Sequence, residues 1–402
     1  MNNRFAVIAC SLFLLLALTA CGGGGGGDGS SATPPPVNGK GNGSSVTPPP
    51  SNNNVAGFAY VAEEYGGGIH AYTIDTTTGA FSEIGSSSGA AAFGSHFVVA
   101  PNGKFAYQTA IQPSEVLGYS VNAATGALTS VGPPVTTGAY PSTPSVDPSG
   151  RFLYVPNANA ATISAYAIDA DTGVLSEIAG SPFATASGPG SIAVAGKYLY
   201  VAASQISIYN IDPTTGALAQ IPDSPIEVGV APTSIAVHPA GRFLYVANAA
   251  IDSAFNPFCF VRAYAIDVSS GALSLVPGTG GRVAAGDSPS DMVLDPSGRF
   301  VYVSNIDSNN VSAYTINSTN GGLIEVPGSP FAGGGFGVRA IGVDPTGKFV
   351  YLGGVTGSKL GDLNGWVQAY TIEALSGALT PIGAPMRTGQ YVSSISTMRA
   401  TR

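Results

Sequence analysis

From residue 55 onward the chain runs in short stretches of alternating apolar and polar residues, broken by Gly, Pro, Asp and Ser. Alternation of period two over about four to eight residues predicts half-buried strands rather than helices. The stretch 232–276 shows the unit. Residues 232–237 read as a strand, His238-Pro239-Ala240-Gly241 as a turn, and 242–247 as a second strand. Residues 262–266 are a third strand, Ser269-Ser270-Gly271 a second turn, and 273–276 a fourth strand.

The unit recurs. Asp147-Pro148-Ser149-Gly150 places Asp, Pro and Gly where a type I turn favours them, and the turn returns at Asp295-Pro296-Ser297-Gly298 and Asp344-Pro345-Thr346-Gly347. Each turn between third and fourth strands carries a glycine: Gly79, Gly126, Gly173, Gly216, Gly271, Gly321 and Gly377. Their spacing, about 43 to 56 residues, predicts seven units of four short strands, which are propeller blades. The expected fold is all-β, a seven-bladed β-propeller of four-stranded antiparallel blades. The ends specify its closure. Residues 57–61 read as a second strand with no first strand before it, and 391–399 as a first strand with no second after it. The C-terminal strand should therefore complete the first blade, pairing two otherwise open sheet edges.

Upstream the pattern changes. Arg4 is followed by an apolar run, 5–18, that is too short to span a bilayer and fits a signal-peptide core. It ends Leu18-Thr19-Ala20-Cys21, which resembles the lipobox of bacterial lipoproteins, whose cysteine is acylated after cleavage. The expected organisation is a lipoprotein signal peptide over 1–21, a disordered Gly/Ser/Pro tether over 22–54, and the propeller over 55–402. The tether has almost nothing apolar to bury. An acylated Cys21 makes a membrane the first expected partner. With Gly22 rather than Asp behind it, the expected location is exported and lipid-anchored to the outer membrane.

Charged residues are 9 % of the chain, against about 25 % in an average protein, so hydroxyls and amides must cover the surface. Net charge is -8, and no basic stripe exists to neutralise phosphates, which excludes nucleic acid as a partner. Cys259 is the only cysteine beyond the leader, so the mature domain has no intramolecular disulfide. Three scattered histidines give no metal pattern, and no cofactor motif is present. A monomer is expected.

Gly150-Arg151-Phe152-Leu153-Tyr154-Val155 and Tyr302-Val303-Ser304-Asn305 resemble the lactonase family of seven-bladed propellers. That family includes bacterial 6-phosphogluconolactonases and the fungal carboxymuconate-lactonising enzyme. The resemblance covers residues 55–402 and implies a site at one tunnel mouth, near the starts of first strands and the ends of second strands. Counted back from the turn prolines, His96 matches a family His, Asp291 a family acidic residue and Arg339 a family Arg. Tyr140 and Ser142 stand in place of two family His, Asn157 in place of an Asp, and Ile306 in place of an Arg. The implied activity is hydrolysis of a small sugar-like lactone, with His96 or Asp291 as the catalytic base and Arg339 stabilising the oxyanion. Ser142, Asn157, Asn305 and Trp366 are candidate ligand-binding residues. Trp366 follows a long loop, 353–365, which with the loop 249–258 is expected on the same face.

Plainer readings stand beside these. His96 could be a hydrogen-bonded structural residue, and Arg339 could pair with Asp291. His70 reads as a solvated strand position and His238 as a turn residue. Gly85-Ser86-Ser87-Ser88-Gly89 matches a nucleophile-elbow formula, but no helix follows it. Asp362-Leu363-Asn364-Gly365 has too few carboxylates for a calcium loop. Two non-catalytic alternatives remain: a module binding a glycan, small molecule or envelope protein through its long loops, and a purely structural surface protein.

Overall fold

The computed structural model describes residues 55–66, 68–88, 93–222, 224–228, 232–249, 258–277, 281–356 and 364–400. The expected signal peptide, Cys21 and tether lie outside the described residues. So do most of both long loops.

Seven antiparallel sheets follow one another along the chain. The unit read at 232–276 appears as Pro232–Val237, Phe243–Asn248, Phe260–Ile266 and Leu273–Leu275, paired in that order. The first blade is closed as expected. Its innermost strand is the C-terminal Val392–Arg399, which pairs antiparallel with Val55–Glu63 from Gly57↔Arg399 to Glu63↔Val392. The innermost strands of successive blades touch in a ring that ends where it began. Three blades carry a refinement that the pattern did not predict. In the third, fifth and sixth, a second short strand (Phe183–Ala184, Arg282–Ala284, Phe331–Ala332) also pairs with the third strand. Pro182 and Pro330, which have no N–H to give, interrupt the outer edge just before two of them.

The apolar core is divided among the gaps between blades. Phe58, Tyr60 and Ile69 of the first blade pack with Phe97, Ala106 and Tyr119 of the second, and comparable clusters fill each gap round to the seventh and first blades. A repeated polar contact crosses each gap. The second strand of every blade carries an aromatic residue, at its start in all but the first blade, and a tyrosine two positions later: Tyr60, Tyr107, Tyr154, Tyr200, Tyr245, Tyr302 and Tyr351, all fully buried. Each donates its hydroxyl to the carbonyl of the turn glycine in the next blade, at 2.8 to 3.1 Å. The last runs from Tyr351 to Gly79 and closes the ring. Burial pushes these phenols above their ordinary range, so they remain donors.

The seven glycines selected by their spacing thus do more than turn the chain. Gly126 has φ +73°, and a Cβ built on it would lie 2.4 Å from the Phe58 ring. Only glycine allows the aromatic to lie against the turn while the tyrosine reaches its carbonyl.

His70 departs from the solvated role expected of it. Its Nε2 lies 3.4 Å from Glu63 and its Nδ1 3.2 Å from Glu83. Glu63 also accepts the Gln390 N–H at 2.8 Å, which ties this cluster to the approach of the closing strand. His238 is a turn residue as expected, its Nδ1 accepting the Ala240 N–H at 3.0 Å.

Tyr60→Phe leaves a buried carbonyl unpaired and should cost about 1–3 kcal/mol. Gly126→Ala adds a steric clash to a strained φ and should cost more than Tyr60→Phe. Urea denaturation of both variants checks the order. Wild-type stability in Tyr60→Phe would remove the hydroxyl contact from the account of the fold.

Candidate active site

In six of the seven blades the first strand places one residue opposite the fifth position of the second strand, counted from its aromatic residue (Phe58, Phe105, Tyr198, Phe243, Phe300 and Phe349). Register identifies these as His96, Ser191, Ser234, Asp291, Ala340 and Ser394. Most of this rung is polar because it joins neighbouring blades around the tunnel. Ser394 accepts the Phe97 N–H at 3.1 Å, Ser191 accepts the Ile235 N–H at 3.2 Å, and Asp291 Oδ2 accepts the Ile341 N–H at 3.4 Å. His96 Nδ1 meets Thr143 Oγ1 of the third blade at 3.0 Å. Two of the three catalytic candidates therefore occupy a rung on which Ser394 and Ser191 join blades.

Their electrostatics set them apart from those serines. Burial, helped by Arg339, pushes the His96 pKa down to about 3. Its imidazole is neutral at neutral pH and serves as a hydrogen-bonding group, and it is a weak base there. Burial raises the Asp291 carboxyl to about 6, although the Met292 and Ile341 N–H groups and Arg339 pull the other way. A carboxyl near 6 is matched to accepting a proton close to neutral pH.

Arg339 belongs to Phe336–Val343, where the pairing shifts between Phe336 and Ala340. Asp291 belongs to Pro289–Leu294, where it shifts between Pro289 and Asp291. Bulges of this kind re-aim side chains. Ser304 holds the two segments together, donating to the carbonyls of both Asp291 (3.2 Å) and Arg339 (2.9 Å).

Arg339 does not pair with Asp291. Its Nη1 donates to Glu64 Oε2 at 2.8 Å, and its guanidinium lies 5.4 Å from the Tyr391 ring centre. The Arg339 side chain keeps 34 % of its surface accessible and that of Glu64 20 %, so both can be reached from the mouth. Burial alone would lower the Arg339 pKa, but Glu64, Tyr391 and Tyr140 outweigh it and hold the group charged. Burial and then Glu64 raise the Tyr65 phenol, while Arg339 opposes them. Tyr140 is 43 % exposed and sits at φ +61°. Ser288 holds the matching loop position of the sixth blade at φ +56°, so the left-handed turn belongs to the fold and does not require an aromatic side chain.

Sequence reasoning brought His96, Asp291 and Arg339 to one place and missed Glu64, Tyr65 and Tyr391. The signal was available. Closure of the first blade puts residue 391 beside residues 63 and 64, and Glu63-Glu64-Tyr65 is a charge cluster in a chain poor in charge.

The four ligand-binding candidates are placed differently. Asn157 is buried, donating to Thr162 (3.1 Å) and Ser164 (2.9 Å) and accepting from Thr137 (2.8 Å). Asn305 repeats the two donated bonds, to Asn310 (2.8 Å) and Ser312 (3.0 Å). Trp366 is 1 % exposed, its indole N–H shared between the Phe336 and Val355 carbonyls. The polar atoms of Asn157 and Trp366 are occupied inside or between blades, which makes them structural, whereas the buried Asn305 Oδ1 has no hydrogen-bond partner. Ser142 donates to the Gly190 carbonyl at 3.0 Å and remains partly exposed near the mouth. Gly85 to Ser88 lie within the strand Phe81–Ser88, so no elbow exists there. Among the described residues no cluster of His, Cys, Asp and Glu is arranged to hold a metal ion.

A family model described as "Lactonase, 7-bladed beta-propeller" matches residues 51–187, 177–279 and 260–339. No curated protein matches the chain. Among solved structures, a Bacteroides uniformis protein provisionally assigned as a 6-phosphogluconolactonase is 19 % identical, with TM-score 0.70 over 85 % of this chain and 100 % of its own. A Bacteroides fragilis protein with the same assignment is 21 % identical, with TM-score 0.68 over 87 % and 99 %. The periplasmic gluconolactonase of Pseudomonas aeruginosa is 18 % identical, with TM-score 0.65 over 86 % and 99 %. At these identities the structural likeness concerns the fold.

Asp291 carries a stability signature. Its folded pKa of about 6 lies above the ordinary 3.8. Between those values the folded state holds a proton that the unfolded chain has released, so stability falls as pH rises through that window. Asp291→Asn should therefore melt higher than wild type at about pH 8, with the difference vanishing near about pH 4. Thermal melts at the two pH values check this, and a variant less stable at both would show that the carboxylate is needed as a joint.

Proposed function

Because the chain belongs to the lactonase family of seven-bladed β-propellers, we propose that its tunnel mouth binds and hydrolyses a small sugar-like lactone. The observation that carries this reading is the meeting of Asp291 and Arg339 on adjacent bulged strands, fastened through Ser304. In the proposed reaction Asp291 takes a proton from water as the oxygen adds to the lactone carbonyl. The guanidinium donors of Arg339 not engaged by Glu64 stabilise the oxyanion. The ring C–O bond then breaks, the leaving alkoxide takes the proton back from Asp291, and an open hydroxy acid results. His96, neutral, positions water or substrate through a hydrogen bond. The Leu18–Cys21 box supports a further proposal, that this occurs at the cell envelope on a lipid-anchored chain.

A second reading, binding of a carbohydrate without turnover, is favoured by Tyr140 standing where the family has a His. Its exposed ring is a stacking surface and supplies no base.

Proton release from a panel of aldonolactones, followed by pH-stat on residues 55–402, separates the two. Hydrolysis should decline as pH falls through about 6, where Asp291 becomes protonated. Asp291→Asn should lose about 10²–10⁴-fold and Arg339→Met about 10²–10³-fold. His96→Ala should keep its pH profile. No turnover on any lactone leaves the binding reading in place.

A further inference from the structure

We propose that Glu64 is a specificity-determining residue of this mouth: by neutralising Arg339 it selects an uncharged, hydroxyl-bearing lactone and rejects phosphorylated or carboxylated ones. The inference rests on the lactone reading above and names the substrate class within it.

The charge inventory at the mouth is short. Of the seven described innermost strands, only two carry a cation. Arg399 lies at the far end of its strand, opposite Gly57, which leaves Arg339 at the mouth. Lys104, Arg151, Lys197, Arg242, Arg299 and Lys348 each precede a second strand and sit in the turns at the opposite end. An incoming phosphate would meet Arg339 with Glu64 already on it at 2.8 Å, and beyond that a neutral His96 and a carboxyl at Asp291. The local charge is zero when Asp291 is protonated and negative when it acts as a base. Attraction to the guanidinium is then cancelled by repulsion from carboxylates at similar distance.

Glu64 is fixed in this position. Its N–H donates to the Tyr391 carbonyl at 2.8 Å, and its carbonyl accepts the Gly94 N–H at 2.5 Å. Both contacts are made by the backbone, so the side chain is held at Arg339 by the closure of the ring. A carboxylate so held is suited to accepting ligand hydroxyls, and a guanidinium with Nη1 engaged still has donors for a carbonyl. Tyr65 and Tyr391 beside the pair, with Tyr140, offer ring faces of the kind that pack on the C–H face of a sugar. These are the requirements of a neutral polyol lactone.

Calorimetric titration with 6-phosphogluconate, a stable phosphorylated acid, tests the inference without relying on turnover. Wild-type residues 55–402 should show no binding. Glu64→Gln, whose backbone contacts are unchanged, should gain saturable, salt-sensitive binding, tighter than wild type by at least about tenfold. Adding Arg339→Met to it should abolish the gain. Tight wild-type binding, or a folded Glu64→Gln protein that gains nothing, overturns the inference. The lactonase reading fails separately. If Glu64→Gln gains the anion and wild type hydrolyses no lactone, the charge assignment stands and the activity falls. If wild type hydrolyses phosphorylated and neutral gluconolactone equally well, the activity stands and the role of Glu64 falls.

Discussion

One buried hydrogen bond, made seven times, holds the ring together. A tyrosine hydroxyl from the second strand of each blade reaches the carbonyl of a glycine in the next, with an aromatic residue packed on that glycine. Apolar packing between blades supplies most of the attraction, but it is non-directional and would tolerate sliding. The tyrosine contact fixes how far each blade turns relative to its neighbour, because a misaligned hydroxyl leaves both partners buried and unpaired. Small errors repeated seven times would leave a gap. The angle per blade is therefore a shared constraint, and the mouth geometry follows from it.

Within that frame the repeat assigns each residue a place before it assigns a chemistry. The rung of Ser394, Ser191 and Asp291 joins blades by accepting N–H groups from the next one. Replacing a serine of this rung by an aspartate keeps the joint and adds an ionisable group, whose raised pKa follows from the depth that the joint required. His96 meets Thr143 at the same level and is neutral for the same reason. A position selected for assembly has in this way become available for chemistry. The two uses conflict at one point, since every N–H that Asp291 accepts lowers its basicity.

The fold was largely legible in the sequence because its determinants are local and repeated. Turn glycines, Asp-Pro-x-Gly turns and alternating strands each occupy a few consecutive residues, and seven copies leave little ambiguity. Closure was legible from the unpaired strand at each end. The catalytic candidates were legible to the extent that register places them, as for His96, Asp291 and Arg339. What escaped depends on side-chain direction. Trp366 looked like a ligand platform because it follows a long loop, but its position on the strand aims it into the packing between the sixth and seventh blades. Asn157 and Asn305 looked like weakened family residues and prove to be joints between strands. Glu64 lies 275 residues from Arg339, and only the folded ring brings the two together.

The arrangement at the closing strand has a bearing on biosynthesis. Glu64, near the start of the folded region, is held by the carbonyl of Tyr391, near its end, and Arg339 lies against both. A ribosome makes the first of these long before the last. A nascent or truncated chain lacking its final strand has an open sheet edge and also lacks the contacts that order the mouth. The contacts that order the mouth therefore depend on the same strand that seals the ring, so loss of that strand would open the sheet edge and release Glu64 together.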